Sequence, residues 1–333
     1  MPDRTAQLQI FLLVLVLGFL TGPRMIEALQ RLPFKGGAET VPAMENTRTG
    51  GGGEGQSTAR FIDPFQAVVL NAKSAYVWDI NAHRKLYALN AETRLPLASV
   101  TKIMTALAAS ELLSKDAKVA IAGRDVREEG DTGLYAGETW TFEKLLAFTL
   151  VASSNDGASA IAAAASIAVQ KNVATATNAV ADKNIFVLHM NEKARAIGLT
   201  QTTFQNESGL DIATGVSGGY GSARDMAMLF EYVFRKHPDI LLPTSQSRLT
   251  VRSESGFTHE VENTNQDVLH ISGIVGSKTG YTELAGGNLV VVVDIGINRP
   301  VVVVVLGSTQ EKRFEDVRKL IAATTETITS MKP

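Results

Sequence analysis

The chain has 333 residues, which at about 100–200 residues per domain allows one large domain or two modest ones. Its 32 basic and 34 acidic side chains leave a net charge of −2, which argues against the clustered basic surface that nucleic acid demands. There is no cysteine, so disulfides, thiol nucleophiles, cysteine-ligated zinc, iron–sulfur clusters and a lipoprotein-type cysteine anchor are excluded, and the composition is compatible with an oxidising exterior.

Residues Ile10–Leu20 form an unbroken apolar run between Arg4 and Thr21-Gly22-Pro23. At about 1.5 Å per residue that run alone falls short of a roughly 30 Å hydrocarbon core, which suits a signal peptide. No small-residue cleavage pattern follows it, and extension over Ala6–Ile26 reaches a spanning length. Residues 1–34 are therefore expected to be a signal or a membrane anchor, the uncleaved anchor being favoured, with the rest exported. Residues 35–60, with Gly50–Gly53 and scattered polar side chains, cannot bury enough apolar surface to order a chain and are expected to be a flexible tether.

From 61 to 331 the pattern is that of one mixed α/β domain. Ala67–Leu70, Ala75–Trp78 and Lys85–Leu89 suggest early strands. Helical periodicity covers 99–113, 142–152, 156–169, 185–197 and 223–235. The valine-rich runs Asn288–Ile295 and Val301–Leu306 predict a hairpin covered on both faces, and Phe314–Ile328 predicts a closing helix. Strands at both ends around a helical middle imply one antiparallel sheet of N- and C-terminal strands, flanked by helices, plus a helical lobe.

Three short motifs carry chemistry. In Ser99-Val100-Thr101-Lys102, just after Pro96, residues three apart share a helix face, so the Lys102 amine and Ser99 Oγ can meet in one cleft. A serine needs a base, and a lysine is one only when burial or a second cation keeps it neutral. Taken alone, such a spacing is expected about once by chance in a chain of this length. Ser153-Ser154-Asn155 interrupts two helical patterns; it suits an ordinary N-cap and turn, or a proton relay through Ser153 with the Asn155 amide on a peptide carbonyl. Lys278-Thr279-Gly280 precedes a valine-rich strand; it suits a charged turn, or a strand on which glycine lets a substrate backbone approach. There Lys278 and Thr279 would meet a substrate carboxylate, and Lys278 could be the second cation for Lys102.

In this order the motifs resemble those of serine β-lactamases and penicillin-binding proteins. The sequence is similar to the low-molecular-mass penicillin-binding proteins that act as serine D-alanyl-D-alanine carboxypeptidases. The likeness extends through Ala98–Thr105, Met190–Ala194, Gly198–Phe204, Asn206–Asp211, Ser222–Met226 and Gly276–Thr282, essentially from Phe61 to the closing helix. It implies a β-lactamase/transpeptidase-like fold, with Ser99 as acyl-accepting nucleophile and Lys102 as its base. Ser153 and Asn155 would form the second element, Lys278, Thr279 and Gly280 the substrate strand, and the N–H groups of Ser99 and Tyr281 the oxyanion hole. The implied reaction releases the terminal D-alanine of D-Ala-D-Ala stem peptides, outside the cytoplasm, with no metal or organic cofactor. The implied partners are peptidoglycan stem peptides, β-lactams and, through the N-terminal segment, the membrane.

Two departures stand out. Many relatives carry a second β-rich domain, whereas only Tyr281–Pro333 follows the third motif, so any anchor is expected to be N-terminal; and Ser154 stands where the family often has glycine. Endopeptidase action on D-Ala cross-links remains an alternative. A class A β-lactamase is disfavoured by Ser154 in place of aspartate and by the lack of a matching glutamate loop. A silent wall-binding module is disfavoured by three intact motifs. None of His83, His189, His237, His259 and His270 lies in a recognisable Ser-His-Asp motif, so they are expected to be surface or satisfied structural residues.

Overall fold

The computed structural model describes residues 63–130, 132–173 and 181–330. The expected anchor (1–34) and tether (35–60) lie outside the described residues. Among the described residues no helix is long and apolar enough to cross a membrane.

A single 3-10 turn, Pro64–Ala67, comes first: the Asp63 carboxylate accepts the Phe65 N–H at 3.0 Å, and proline fills the opening position. This corrects the strand expected at Ala67–Leu70. Strand β1 (Ser74–Asp79) is already paired on both sides, by β2 (Arg84–Leu89) and by a C-terminal strand, so the preceding valines have no free edge there, and Val69 stays 76% exposed. Short β3 (Leu95–Pro96) leads through a 3-10 turn, Ala98–Thr101, into α1 (Lys102–Ser110), so the expected 99–113 helix is two elements and stops earlier.

The helical lobe follows. It holds β4 (Lys118–Ala120), β5 (Thr139–Thr141), α2 (Phe142–Ala152), α3 (Asn155–Val173), α4 (Lys183–Ala196), β6 (Thr203–Phe204), β7 (Gly219–Gly221), α5 (Ala223–Lys236) and α6 (Pro238–Leu241). Helix α2 matches its expected span because Thr141 caps its start, accepting the Lys144 N–H, and Ser153 ends it in a left-handed conformation (φ 59°). After β8 (Arg248–Arg252) and β9 (Thr258–Glu262) come β10 (Ile274–Thr282), β11 (Gly286–Asp294), β12 (Pro300–Ser308) and α7 (Lys312–Ser330).

The principal sheet is antiparallel with order β10-β11-β12-β1-β2, so the first and last strands share it as expected. Successive side chains of a strand point to opposite faces, which explains the valine runs. Val290, Val292, Val302 and Val304 pack towards the lobe with Ile103, Met104 and Phe230. Leu289, Val291, Val293, Val301, Val303 and Val305 pack on the other face with Val317 and Leu320 of α7. Each fully buried valine contributes about 1.5–3 kcal/mol relative to exposure.

Strand β10 is the edge next to the Ala98–Thr101 turn, and one buried amide fixes their spacing. Asn288 on β11 donates to the carbonyls of Pro96 and Leu97, both at 3.0 Å, and accepts the Gly307 N–H at 2.8 Å. Replacing it with leucine (Asn288→Leu) leaves three buried backbone groups without that partner. The expected cost is about 2–4 kcal/mol in urea unfolding at constant m-value; a loss below about 0.5 kcal/mol contradicts this role.

Candidate active site

The three motifs meet where the start of α1, the α2–α3 junction and edge strand β10 converge. Ser99 sits in the 3-10 turn, partly accessible, one turn before Lys102. Lys102 is 1% exposed, and its amine lies 2.8 Å from Ser99 Oγ, 2.6 Å from Asn155 Oδ1 and 2.9 Å from the Ser208 carbonyl oxygen. Burial pulls the Lys102 pKa down from 10.5 to about 7, against the opposing pull of the Glu207 and Glu128 carboxylates. Of the two means of neutralising this lysine, burial is the leading one.

Ser154 turns away from the cleft. Its Oγ accepts the Gly157 N–H at 2.9 Å, at the start of α3, and meets Thr132 Oγ1 at 2.6 Å. The position tolerates serine because the side chain serves the helix start. Ser153, in its left-handed turn, faces the other way and accepts from Lys278 Nζ at 2.8 Å. Its hydrogen-bond partner is therefore Lys278 and not Lys102. The Asn155 amide is divided: Oδ1 receives Lys102, and Nδ2 gives one of its two protons to the Glu129 carbonyl at 2.6 Å.

Lys278, Thr279 and Gly280 lie on β10, so the strand expectation for the third motif holds. Lys278 is 1% exposed and donates also to the Thr279 carbonyl at 3.0 Å. Burial, then the nearby Lys102 and Arg313, hold its pKa well below 10.5. The Thr279 hydroxyl meets Thr264 Oγ1 at 2.6 Å. Gly280 is required by close approach: a Cβ there would lie 2.8 Å from the Leu97 oxygen and 3.1 Å from the Ser99 nitrogen. Tyr281 follows at the mouth, 40% exposed.

Ala98, immediately before Ser99, has φ 48°, an uncommon conformation for a residue with a Cβ. The Leu97 N–H bonds the Gly219 carbonyl at 2.9 Å, and Gly209 (φ +82°) packs so tightly that a Cβ would fall 1.9 Å from the Ala98 oxygen. The strained turn is thus gripped from β7, β11 and the Asn206–Gly209 segment.

Sequence reasoning missed two members of this site besides Gly209. Asn288 was legible only as a lone amide opening an apolar strand. Arg313 is 6% exposed, donates to the Gly280 carbonyl at 3.0 Å and leaves its Nε without a hydrogen-bond partner; burial lowers its pKa to about 10. Its signal was a cation in the first turn of α7, where the helix dipole disfavours positive charge. Among the described residues there is no cluster of histidines and carboxylates able to hold a metal ion. His259 is a satisfied structural residue, its Nε2 3.1 Å from Glu138.

The site has counterparts in known proteins. The family model for D-alanyl-D-alanine carboxypeptidases, peptidase family S11, matches residues 63–310. D-alanyl-D-alanine carboxypeptidase DacF of Bacillus subtilis is 31% identical over 75% of this chain and 61% of its own length. A D-alanyl-D-alanine endopeptidase of Pseudomonas aeruginosa is 30% identical over 71% of each chain. The ampicillin-bound crystal structure of penicillin-binding protein D2 from Listeria monocytogenes superposes with a TM-score of 0.63 at 30% identity, covering 76% of this chain and 97% of that one. The chain spans 60–65% of the length of the first curated carboxypeptidase relatives it matches. With the fold, the three motifs and 248 matched residues in agreement (63 to 310 inclusive), the chain belongs to the D-alanyl-D-alanine carboxypeptidase family.

Proposed function

We propose that this chain is a serine hydrolase that removes the terminal D-alanine from D-Ala-D-Ala peptidoglycan stem peptides through an acyl-enzyme on Ser99. The observation that carries this reading is a buried amine with a pKa of about 7, 2.8 Å from a partly accessible serine hydroxyl. Neutral Lys102 takes the Ser99 proton as Oγ attacks the carbonyl carbon of the penultimate D-alanine. The oxyanion forms against the N–H groups of Ser99 and Tyr281. The C–N bond then breaks, and the departing amine takes the proton that Lys102 accepted from Ser99; Ser153, whose Oγ accepts from Lys278 Nζ, is assigned to the leaving-group side. Water, deprotonated by Lys102, attacks the ester and frees Ser99.

The remaining residues bind. Asn155 keeps one amide proton for a substrate carbonyl, and the substrate backbone runs along β10 beside Gly280. The Arg313 guanidinium and the Lys278 amine favour the terminal carboxylate near Thr279. A β-lactam presents a similar acyl group and carboxylate, in keeping with the ampicillin-bound relative. Such a substrate lies outside the cytoplasm. We assign residues 1–34 to attachment, 35–60 to the tether and 61–331 to the catalytic domain. Two relatives are named endopeptidases, so cleavage of D-Ala cross-links is the second reading. Mass spectrometry of digested muropeptides separates the two.

Labelled penicillin is expected to acylate Ser99, and Ser99→Ala to abolish both labelling and D-alanine release. Release that survives this change contradicts the serine mechanism. A second prediction concerns stability. Lys102 has a lowered folded pKa, so between pH of about 7 and 10.5 the unfolded chain holds a proton that the folded chain lacks. Wild-type stability therefore gains from this group as pH rises, by about 1.4 kcal/mol per pH unit across that window. Urea unfolding of Lys102→Met lacks this gain, so its advantage over wild type is largest at pH 7 and shrinks by pH 9; a constant difference contradicts a neutral buried amine.

A further inference from the structure

We infer that Lys183 is a positioning residue for Lys102, clamping from behind the two loops that supply the base with its acceptors. The inference rests on the serine-hydrolase reading and concerns residues outside the three motifs. Lys183 opens α4, and its amine lies 2.7 Å from Glu207, 2.9 Å from Glu128 and 3.1 Å from Ser159 Oγ. Each partner is tied to the site by covalent neighbourhood. Glu207 precedes Ser208, whose carbonyl accepts from Lys102, and Glu128 precedes Glu129, whose carbonyl holds the Asn155 amide so that Oδ1 faces Lys102. Ser159 lies one turn beyond Asn155 on α3, and its hydroxyl donates to Asp125 at 2.8 Å.

The arrangement is electrostatic as well as mechanical. Glu207 is 3% exposed, and a buried carboxylate facing the base favours its charged form, as does Glu128; burial opposes them, and the Lys278 amine on β10, itself held well below its ordinary pKa, is the other titratable group near Lys102. Burial works against the charge on Lys183, but Glu207 and Glu128 together outweigh it and keep the amine charged, so it offsets their field at Lys102. Without it, Lys102 would keep its proton to higher pH and both acceptor loops would lose a common tie.

The test is the rate of acylation by labelled penicillin from about pH 5.5 to 9.5. Wild type, Lys183→Met, Lys183→Arg, Glu207→Gln and the double variant K183M/E207Q are compared. In K183M the acid limb is expected to move up by about half a pH unit or more, slowing acylation about threefold or more below neutrality while the alkaline plateau changes less. Lys183→Arg keeps the charge and restores the limb. Glu207→Gln moves it down. The double variant, which buries no unpaired carboxylate from that pair, returns the limb towards wild type and gives the reading should K183M fail to fold. A labelled wild type whose limb does not move in K183M, or a uniform loss at every pH, overturns the inference alone. A wild type that takes no label overturns the hydrolase reading and this inference with it.

Discussion

An amine at 1% exposure, bonded to three neutral oxygens, is the constraint around which this domain is arranged. Water would hold a lysine charged at neutral pH, so the protein must remove water from Lys102 without supplying a carboxylate partner in its place. The three acceptors come from three parts of the chain: the turn that opens α1, the start of α3, and the Asn206–Gly209 segment, whose Ser208 lies 106 residues beyond Lys102. Their convergence needs the lobe packed on the sheet through Ile103, Met104 and Phe230 against the inner valines.

Ser99 depends on the same packing. A left-handed Ala98 costs about 1–2 kcal/mol and relaxes unless its surroundings forbid it. Asn288 holds the carbonyls before it, Gly219 holds the Leu97 N–H, and Gly209 and Gly280 close in where a Cβ would collide. Three glycines and an asparagine thus do for Ser99 what three neutral acceptors do for Lys102. On the far side, Arg313 ties α7 to the Gly280 carbonyl and brings a buried guanidinium to a cleft already holding the Lys102 and Lys278 amines. A buried guanidinium and two amines around one serine suit an anionic substrate end far better than a neutral one.

Much of this was legible in the sequence. The valine runs announced strands buried on both faces, and the 2.8 Å contact between Ser99 and Lys102 follows from a helical spacing of three. The expected role of Lys278 as a strand residue followed from the valine run behind it. The valines at 68–69 misled because β propensity is local, whereas an open strand edge to pair with is a property of the assembled sheet. Ser154 was a doubt about the second motif until its side chain was found capping α3. Asn288, Gly209, Arg313 and Lys183 escaped because each acts through partners 19 to 192 residues away, a separation no periodicity reports.

The central claim is that Lys102 is uncharged for a substantial fraction of the time near neutral pH, and the most direct measurement is its titration. Carbon-13 NMR of the lysine ε-carbon, assigned by comparison with Lys102→Met, reads that ionisation in the intact protein. The account predicts a midpoint of about 7. A midpoint above about 9, within reach of an ordinary lysine, would contradict it.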